Sequence, residues 1–485
     1  MDLFNADGYW LARWLFERGV AAIYLIAFLA ARNQFAGVLG DGGLTPIREQ
    51  LGTSTFWERP SLFYWLYSER LFRIVAWAGI VLSTAALFGI VASAPVWLHM
   101  SVWLTLWLLY LSIVNVGGRF YGFGWETMTL EAGFFMAFFG PDHVAPAIVP
   151  VLLIRWLLFR VEFGAGLIKL RHDPCWRNLT CLDYHYETQP LPNPLSWYFH
   201  RLPKPFHRVS VLFSHVVQVI VPFGLFAPQP VAAIAGGLIV FHQFWLIVSG
   251  NYAWLNWLTV VLAIPALPDS LLAGLFPVSA PAAPAPRPAW FDVVLAGVAI
   301  LTVALSVKPT LNFFSPAQRM NASYNPLHLV NAYGAFGSVT KQRHEVIIEG
   351  TRDAEPSPDA VWREYEFKGK PGDPARRPSQ VAPYHLRLDW LMWFLPLSVR
   401  VTESGARVPG YERWFARLVE KLLAGDPSVL ELLRTNPFPD EPPRWVRARF
   451  FRYRFTSAAE RKETGRWWDR SLVDEYLDPM SRRDV

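Results

Sequence analysis

Four ionisable side chains stand in one apolar stretch, RWLLFRVEFGAGLIKL (155–170), which is otherwise suited to crossing a membrane. They are Arg155, Arg160, Glu162 and Lys169. Three of them recur at seven-residue spacing and would share one helix face. An ionisable group at membrane depth costs roughly 2.5–3.5 kcal/mol on insertion scales, so such groups pair, face the bundle interior or line a wet cavity. The pattern therefore predicts an intramembrane polar site.

Lys169, near the end of this stretch, allows two interpretations. Its ammonium could reach the membrane interface, or pair with Glu162 or with Glu131 of a neighbouring helix. Alternatively, a desolvated lysine can serve as a base or as an amine that captures a carbonyl. Because nothing nearby identifies a substrate, no catalytic residue is assigned; Lys169, Glu162 and His185 are the candidates.

Two further carboxylates lie in GWETMTLEAGFF (124–135). Glu126 would open a helix, where the macrodipole favours a negative charge. Glu131 lies deeper and needs a cation, for which Arg155, Arg160 and Lys169 are available. We expect a structural ion-pair network that fixes helix register, with a proton or substrate path as the alternative. The expected intramembrane polar network is Glu126, Glu131, Arg155, Arg160, Glu162 and Lys169.

The loop after the charged helix carries a dense polar and aromatic surface, formed by Tyr184, His185, Tyr186, Glu187 and Gln189. It could cap a cavity above that helix, where histidine beside a carboxylate suits acid–base chemistry. A loop folded by hydrogen bonds and proline is the simpler interpretation. Cys175 and Cys181 of the same loop could form a short disulfide or remain free thiols. Neither cysteine nor histidine spacing suggests a metal site, and no cofactor is predicted.

The composition indicates which elements hold these side chains. Of 485 residues, 53% are hydrophobic and 17% charged, whereas soluble proteins carry about a quarter charged residues. About eight or nine membrane helices are predicted within residues 1–307, connected in part by two long polar loops at 32–73 and 171–208. The candidate spans are roughly 11–31, 74–94, 96–116, 130–149, 150–170, 209–227, 231–249, 252–275 and 290–307. The segment 130–149 is interrupted by Gly140 and Pro141 and could be a half-span.

After residue 307 the hydrophobic pattern becomes that of a soluble domain, 308–485. Strands are predicted at 344–350, 362–369, 384–394 and 445–456, and helices at 411–425 and 428–436, the latter with Asp426 as cap. The predicted fold class is a multi-pass α-helical membrane protein with a C-terminal soluble α+β domain.

Charge and the N-terminal sequence narrow the classes further. The formal charge of +6 is explained by juxtamembrane arginines beside anionic lipid rather than by nucleic acid. MDLFNADGYW lacks the features of a cleavable signal peptide, so the first span is expected to be an uncleaved anchor. Arginine outnumbers lysine, which suggests a bacterial genome. No phosphate-binding glycine loop or serine-nucleophile elbow is found.

Several long strings resemble the lipase maturation factor family, in order along most of the chain. They occupy 121–135, 155–170, 179–203, 329–351, 364–378, 383–394 and 447–456. The resemblance implies a multi-pass protein, of the endoplasmic reticulum membrane in eukaryotes, that secreted lipases need in order to fold and assemble. It also implies a luminal C-terminal domain, or a periplasmic one in a bacterium. The positive-inside rule would instead place the two arginine-rich loops in the cytoplasm; an odd number of spans with a cytoplasmic N-terminus satisfies the resemblance.

A shorter similarity involves AGLIKL and the loop that follows it, 165–176. This segment is similar to one in the vitamin K-dependent γ-carboxylases, in which the lysine acts as a base, and that role would fall on Lys169 alone. The leading hypothesis is a chaperone-like maturation factor of the bacterial inner membrane, with secreted proteins, lipases among them, and membrane lipids as partners. The alternative is a membrane enzyme that acts on a lipid-soluble substrate in an intramembrane cavity, with Lys169 as base. A transporter is a third hypothesis.

Overall fold

The computed structural model describes residues 5–278, 280–281, 284–402 and 405–484. Its helices are α1 (Trp10–Val38), α2 (Ile47–Gly52), α3 (Glu69–Leu87), α4 (Val96–Val116), α5 (Gly124–Met136), α6 (Ile148–Arg171), α7 (Pro174–Arg177), α8 (Leu182–Thr188), α9 (Ser196–His200), α10 (Lys204–His215), α11 (Val231–Ser249), α12 (Leu255–Ala263), α13 (Asp269–Leu272), α14 (Ala289–Phe314), α15 (Arg387–Phe394), α16 (Arg413–Ala424), α17 (Pro427–Leu430) and α18 (Ala458–Thr464). The strands are β1 (Arg343–Thr351), β2 (Arg363–Glu364), β3 (Arg400–Thr402), β4 (Gly405–Arg407), β5 (Trp445–Phe455) and β6 (Trp468–Ser481).

The N-terminal part is a helical membrane bundle. Among the described residues, 6 helices are long and apolar enough to cross a membrane: α1, α3, α4, the continuous helical segment Lys204–Phe226 that begins with α10, α11 and α14. α6 is comparably long but carries the four charges, and the shorter α5 and α12 pack against it inside the bundle. The chain is therefore a multi-pass membrane protein with a C-terminal α+β region, as predicted.

Two predicted spans are shorter than expected. α5 ends at Met136, and the chain turns at Gly140, whose φ of +74° suits glycine. The segment predicted at 252–275 is helical in α12, in a 3₁₀ turn at Ile264–Ala266 and in α13. Both short helices are buried, so neighbouring helices can satisfy the backbone groups that a broken span exposes.

Contacts at the two ends of α1 show how the bundle is oriented relative to the rest. At its start, the Asp269 carboxylate accepts hydrogen bonds from the backbone N–H of Trp10 at 2.8 Å and of Leu11 at 2.9 Å. Near its end, the Gln34 amide donates to the His385 carbonyl at 2.7 Å and accepts from the Arg387 N–H at 2.9 Å. The C-terminal region therefore covers the end of the bundle at which α1 finishes.

The C-terminal region is built on a 4-stranded antiparallel sheet of order β2-β1-β5-β6. The strands predicted at 344–350 and 445–456 are confirmed as β1 and β5, and they pair from Arg343 opposite Tyr453 to Thr351 opposite Trp445. The strand predicted at 362–369 is limited to β2. β6 was not predicted; its burial does not alternate regularly, and bulges interrupt its pairing with β5.

The strand predicted at 384–394 is wrong, because this segment forms helix α15. Leu388, Trp390, Leu391 and Met392 are all buried, and an apolar run buried on every side cannot be assigned by periodicity. The helix predicted at 411–425 is confirmed as α16, which ends at Gly425 in a left-handed conformation. Asp426 caps the next helix as expected, but α17 ends at Leu430.

Candidate functional site

The charges predicted to form one network fall into separate clusters, which corrects the expectation drawn from their spacing. Fourteen residues of helix put Arg155 and Lys169 about 21 Å apart along the axis. Arg155 donates to the carbonyls of Leu225 and Pro265, both at 3.1 Å, and to the Tyr9 hydroxyl at 2.8 Å. Arg155 therefore links α6 to neighbouring segments at the end of the bundle opposite Lys169.

The second cluster is a closed ion pair. Arg160 donates to both carboxylate oxygens of Glu131 and to the Asn331 carbonyl. Glu131 also accepts from the Asn331 amide at 3.1 Å and from the Tyr333 hydroxyl at 2.9 Å. Both charged side chains are fully buried, and both Glu131 oxygens have donors. This arrangement suits a structural role.

The third cluster joins the bundle to the C-terminal region. Glu126 accepts from the Arg387 guanidinium at 2.8 Å and from the Tyr110 hydroxyl, and lies 3.4 Å from His385 Nδ1. Arg387 also lies over the Tyr121 ring, 3.4 Å from its centroid. Glu126 therefore has a cationic partner beyond the helix macrodipole, and that partner lies on α15, which was predicted to be a strand.

The fourth cluster is a chain of side chains that links Glu162 to Lys169 through a glutamine. Lys169 Nζ donates to Gln218 Oε1 at 2.7 Å, and Gln218 Nε2 donates to Glu162 at 3.1 Å. Gln243 Nε2 donates to the other Glu162 oxygen at 2.7 Å. The Lys169 ammonium lies 4.9 Å from the centroid of the Trp176 ring, and in the described part of the chain it forms no salt bridge with a carboxylate. Lys169 is thus buried without a direct ion pair.

Backbone geometry places Gln218 between these two charges. Val216–Ile220 is a π-helical turn after α10, a local form often found at functional sites. It packs closely on α6 at Gly166, where an added Cβ would lie 2.7 Å from Val219 Cγ2 and 3.0 Å from the Gln218 carbonyl carbon. Only glycine leaves room for this approach.

A cavity of about 920 Å³ opens beside this chain. Glu162, Lys169, Gln218 and Gln243 line one part of it. Most other lining side chains are apolar or aromatic, and they come from α5, α10, α11, α15 and the segment 333–338. Three buried polar atoms among the lining residues have no hydrogen-bond partner: His242 Nδ1, Gln243 Oε1 and Trp245 Nε1. The side chains of His242 and Gln243 are 3% and 4% exposed. The site therefore has unused hydrogen-bonding capacity at an apolar cavity.

The polar loop expected to cap the charged helix contributes His185 and Tyr186 to the cavity wall. His185 Nε2 lies 3.0 Å from the Tyr252 hydroxyl, which donates to Gln189 at 2.6 Å. Burial, together with the Lys169 charge, lowers the pKa of His185 to about 3, so its ring is neutral.

The expected pairing of His185 with a neighbouring carboxylate is not formed. Glu187 instead accepts from the Phe455 backbone N–H at 2.7 Å, and its histidine neighbour is His200 at 3.7 Å. Burial raises the pKa of the Glu187 carboxyl. Tyr184 is not among the residues lining the cavity. The loop thus combines a folded scaffold with part of the cavity wall.

The remaining candidates are located as follows. Cys175 and Cys181 are joined by a disulfide. Within the described ranges, no group of three or more histidine, cysteine or acidic side chains could hold a metal ion. Gln218 and Gln243 share one partner, Glu162, which no periodicity in the sequence identifies. The involvement of α15 was not foreseen; the only signal was the unbroken apolar character of Leu386–Leu395 around two charges.

These features define a class: a multi-pass membrane protein whose α+β region is joined to the bundle by a buried ion pair, Glu126–Arg387, beside an internal cavity. Comparison with known proteins specifies it further. The lipase maturation factor transmembrane domain matches residues 11–274, and the lipase maturation factor C-terminal domain matches residues 329–478. The chain therefore belongs to the lipase maturation factor family.

Curated relatives extend over nearly the whole chain. Lipase maturation factor 1 of Bos taurus is 41% identical, with 99% of this chain and 91% of the relative covered. Lipase maturation factor 1 of Homo sapiens is 40% identical, with 98% and 89% covered. Lipase maturation factor 2 of Homo sapiens is 29% identical, with 98% and 83% covered. No solved structure matches.

Proposed function

We propose that this protein is a membrane-resident, chaperone-like maturation factor for secreted proteins, with lipases as its clients. The observation that carries the proposal is the match in both the membrane bundle and the C-terminal domain, including 41% identity to a protein named lipase maturation factor 1 over 99% of this chain. The proposed partners are secreted client proteins and the membrane lipids around the bundle, and nucleic acid is not among them.

The two long loops and the C-terminal domain would face the endoplasmic reticulum lumen, or the periplasm if the source is bacterial. The Cys175–Cys181 disulfide supports this side, since disulfides persist in oxidising compartments. The excess of arginine over lysine supports a bacterial inner membrane, whereas the relatives named above are vertebrate proteins. Labelling of cysteines introduced at Asp41 and at Asp142 in intact membrane vesicles would test the sidedness.

Client contact is proposed for the exposed aromatic side chains of the first long loop. Trp57 and Trp65 are 82% and 64% exposed, and aromatic side chains are enriched in protein interfaces. The C-terminal region contacts this loop, since Arg417 of α16 donates to Glu49 at 2.5 Å. An unfolded client would therefore meet the loop and the C-terminal region side by side.

The test is secretion of an active lipase from cells that lack their own maturation factor and express this chain. Wild type should restore secreted activity. The double variant Trp57→Ser/Trp65→Ser should reduce it, with unchanged thermal unfolding of the variant, because both side chains are exposed. Trp77→Ser, at a half-exposed position on α3, is the matched control. If wild type restores no activity, enriches no secreted client and leaves the secretome unchanged, the proposal is wrong.

A specific observation favours a second candidate, a membrane enzyme that uses Lys169 as base on a lipid-soluble substrate. Lys169 lines a roomy cavity and, among the described residues, hydrogen-bonds to Gln218 without a direct carboxylate partner. A purely structural cation would need neither the cavity nor the missing partner. Lipid extracts of membranes with wild type and with Lys169→Gln should then differ in a product. Identical extracts would exclude this candidate without affecting the maturation proposal.

A further inference from the structure

The cavity has an amphipathic lining. Its polar part is the Glu162–Gln218–Lys169 chain together with His242 and Gln243. Its apolar part includes Trp125, Phe213, Leu246, Trp390 and Phe394. An apolar pocket with a few convergent polar groups is the usual form of a small-molecule site, and about 920 Å³ lies within the usual range of such sites.

The cavity reaches the apolar surface of the bundle. Phe206 and Val209 on α10 and Phe241 on α11 line the cavity and are also exposed, at 41%, 64% and 58%. The two helices meet at Phe213 and Phe241, whose ring centroids are 5.7 Å apart. Both helices belong to candidate membrane spans, so a molecule dissolved in the bilayer could enter between these side chains.

The polar part lacks partners that a ligand head could supply. An ammonium carries three N–H donors, and Lys169 uses one of them on Gln218. Gln243 Oε1 is a buried acceptor without a donor, and His242 Nδ1 is also unpartnered. A buried polar group without a partner costs about 1–3 kcal/mol. Oxygen acceptors in a ligand head would satisfy the Lys169 ammonium, and a hydroxyl group in that head, where it has one, would also donate to Gln243.

We propose that this cavity binds a single-chain acyl lipid, with its head oxygens at Lys169 and its hydrocarbon chain among the aromatic side chains of α10, α11 and α15. Two lipids share this chemistry: a long-chain fatty acid and a monoacylglycerol. Glu162 does not compete for Lys169, because its two oxygens already accept from Gln218 and Gln243. This binding goes beyond client maturation and requires no turnover.

The test is photo-crosslinking of the purified full-length protein in detergent with an alkyne-tagged palmitic acid that carries a diazirine in its chain. We expect saturable labelling that maps to peptides of α10, α11 or α15 and is competed by unlabelled palmitic acid. Lys169→Gln should weaken labelling about tenfold or more, as expected for loss of a hydrogen bond to a charged group. Lys308→Gln is the matched control, since Lys308 is an exposed lysine within α14 that does not line the cavity.

A second variant tests the hydrocarbon part without touching the lysine. Leu246→Trp places a larger side chain in the cavity wall and should also reduce labelling, provided that its thermal unfolding stays cooperative. Competition by monoacylglycerol as well as by palmitic acid would indicate recognition of the head oxygens in general; competition by palmitic acid alone would identify the fatty acid. Labelling that is unsaturable, spread over the bundle, or equal in Lys169→Gln and Lys308→Gln would overturn the proposal, while leaving client maturation intact.

Discussion

Two charge clusters that involve α6 each contain a cation and a carboxylate, and they differ in how these two groups are joined. Arg160 binds Glu131 directly and with several supporting donors, in a fully buried position. Lys169 and Glu162, on the same helix, are joined only through Gln218 and border the cavity. A charge pair that holds helices together is expected to be direct. The indirect pair, which borders the cavity, is therefore the one suited to a ligand.

The strongest test of this difference is to remove one partner of the direct Arg160–Glu131 pair. Arg160→Met should lower the free energy of unfolding by about 3–5 kcal/mol, because Glu131 would remain buried and unpaired. Thermal unfolding of the purified protein in detergent measures the loss. The double variant Glu131→Gln/Arg160→Met should recover part of it. Wild-type stability in Arg160→Met would contradict the structural role.

The close approach of α6 and the π-helical turn offers a second test, aimed at the open cluster. Gly166→Ala should destabilise the protein by up to about 3 kcal/mol, because the new Cβ would collide with Val219 and the Gln218 backbone. The same change at Gly237 on α11, where an added Cβ meets nothing within 4 Å, is the control and should not destabilise. Equal unfolding temperatures for the two variants would show that the turn adjusts freely.

The sequence predicted most of the spans, the strands β1 and β5, and the buried charges, since all of these depend on local composition and period. It could not predict how the charges divide. Helical spacing places Arg155, Glu162 and Lys169 on one face, but it does not indicate which side chain a neighbouring helix presents at each level. Glu126 and Arg387 are 261 positions apart in the chain, so only the tertiary fold brings them together. The π-helical turn around Gln218 has no sequence period of its own, and it determines the site.

His185, a histidine in the cavity wall, should make the free energy of unfolding depend on pH in the acidic range. The pKa of His185 is about 3 in the folded protein against an ordinary 6.5, because burial disfavours the charged ring. The unfolded chain therefore binds more protons between pH 6.5 and 3, and stability falls as pH falls through that window. At pH 5 the loss from this residue should be about 2 kcal/mol.

Thermal unfolding at pH 7.5 and pH 5 measures this dependence. His385, whose pKa burial lowers to about 4, adds a similar loss, so the wild type should lose more than His185 alone accounts for. His185→Gln should lose less than wild type over the same interval. If the two proteins lose the same stability, the pKa of His185 is not lowered in the folded protein.

The smallest expected effect concerns Lys169, and it completes the comparison with Arg160. Lys169→Gln should change the free energy of unfolding by less than about 1 kcal/mol, because the lost hydrogen bond to Gln218 is offset by no longer burying an ammonium. Glu162 keeps both amide donors, so no carboxylate oxygen loses its partner, in contrast to Glu131 in Arg160→Met. Thermal unfolding of Lys169→Gln and of Arg160→Gln, which carries the same substitution at the direct pair, measures the difference. A loss at Lys169 as large as that at Arg160 would mean that the two clusters are structurally equivalent, and it would remove the reason to assign a ligand to one of them.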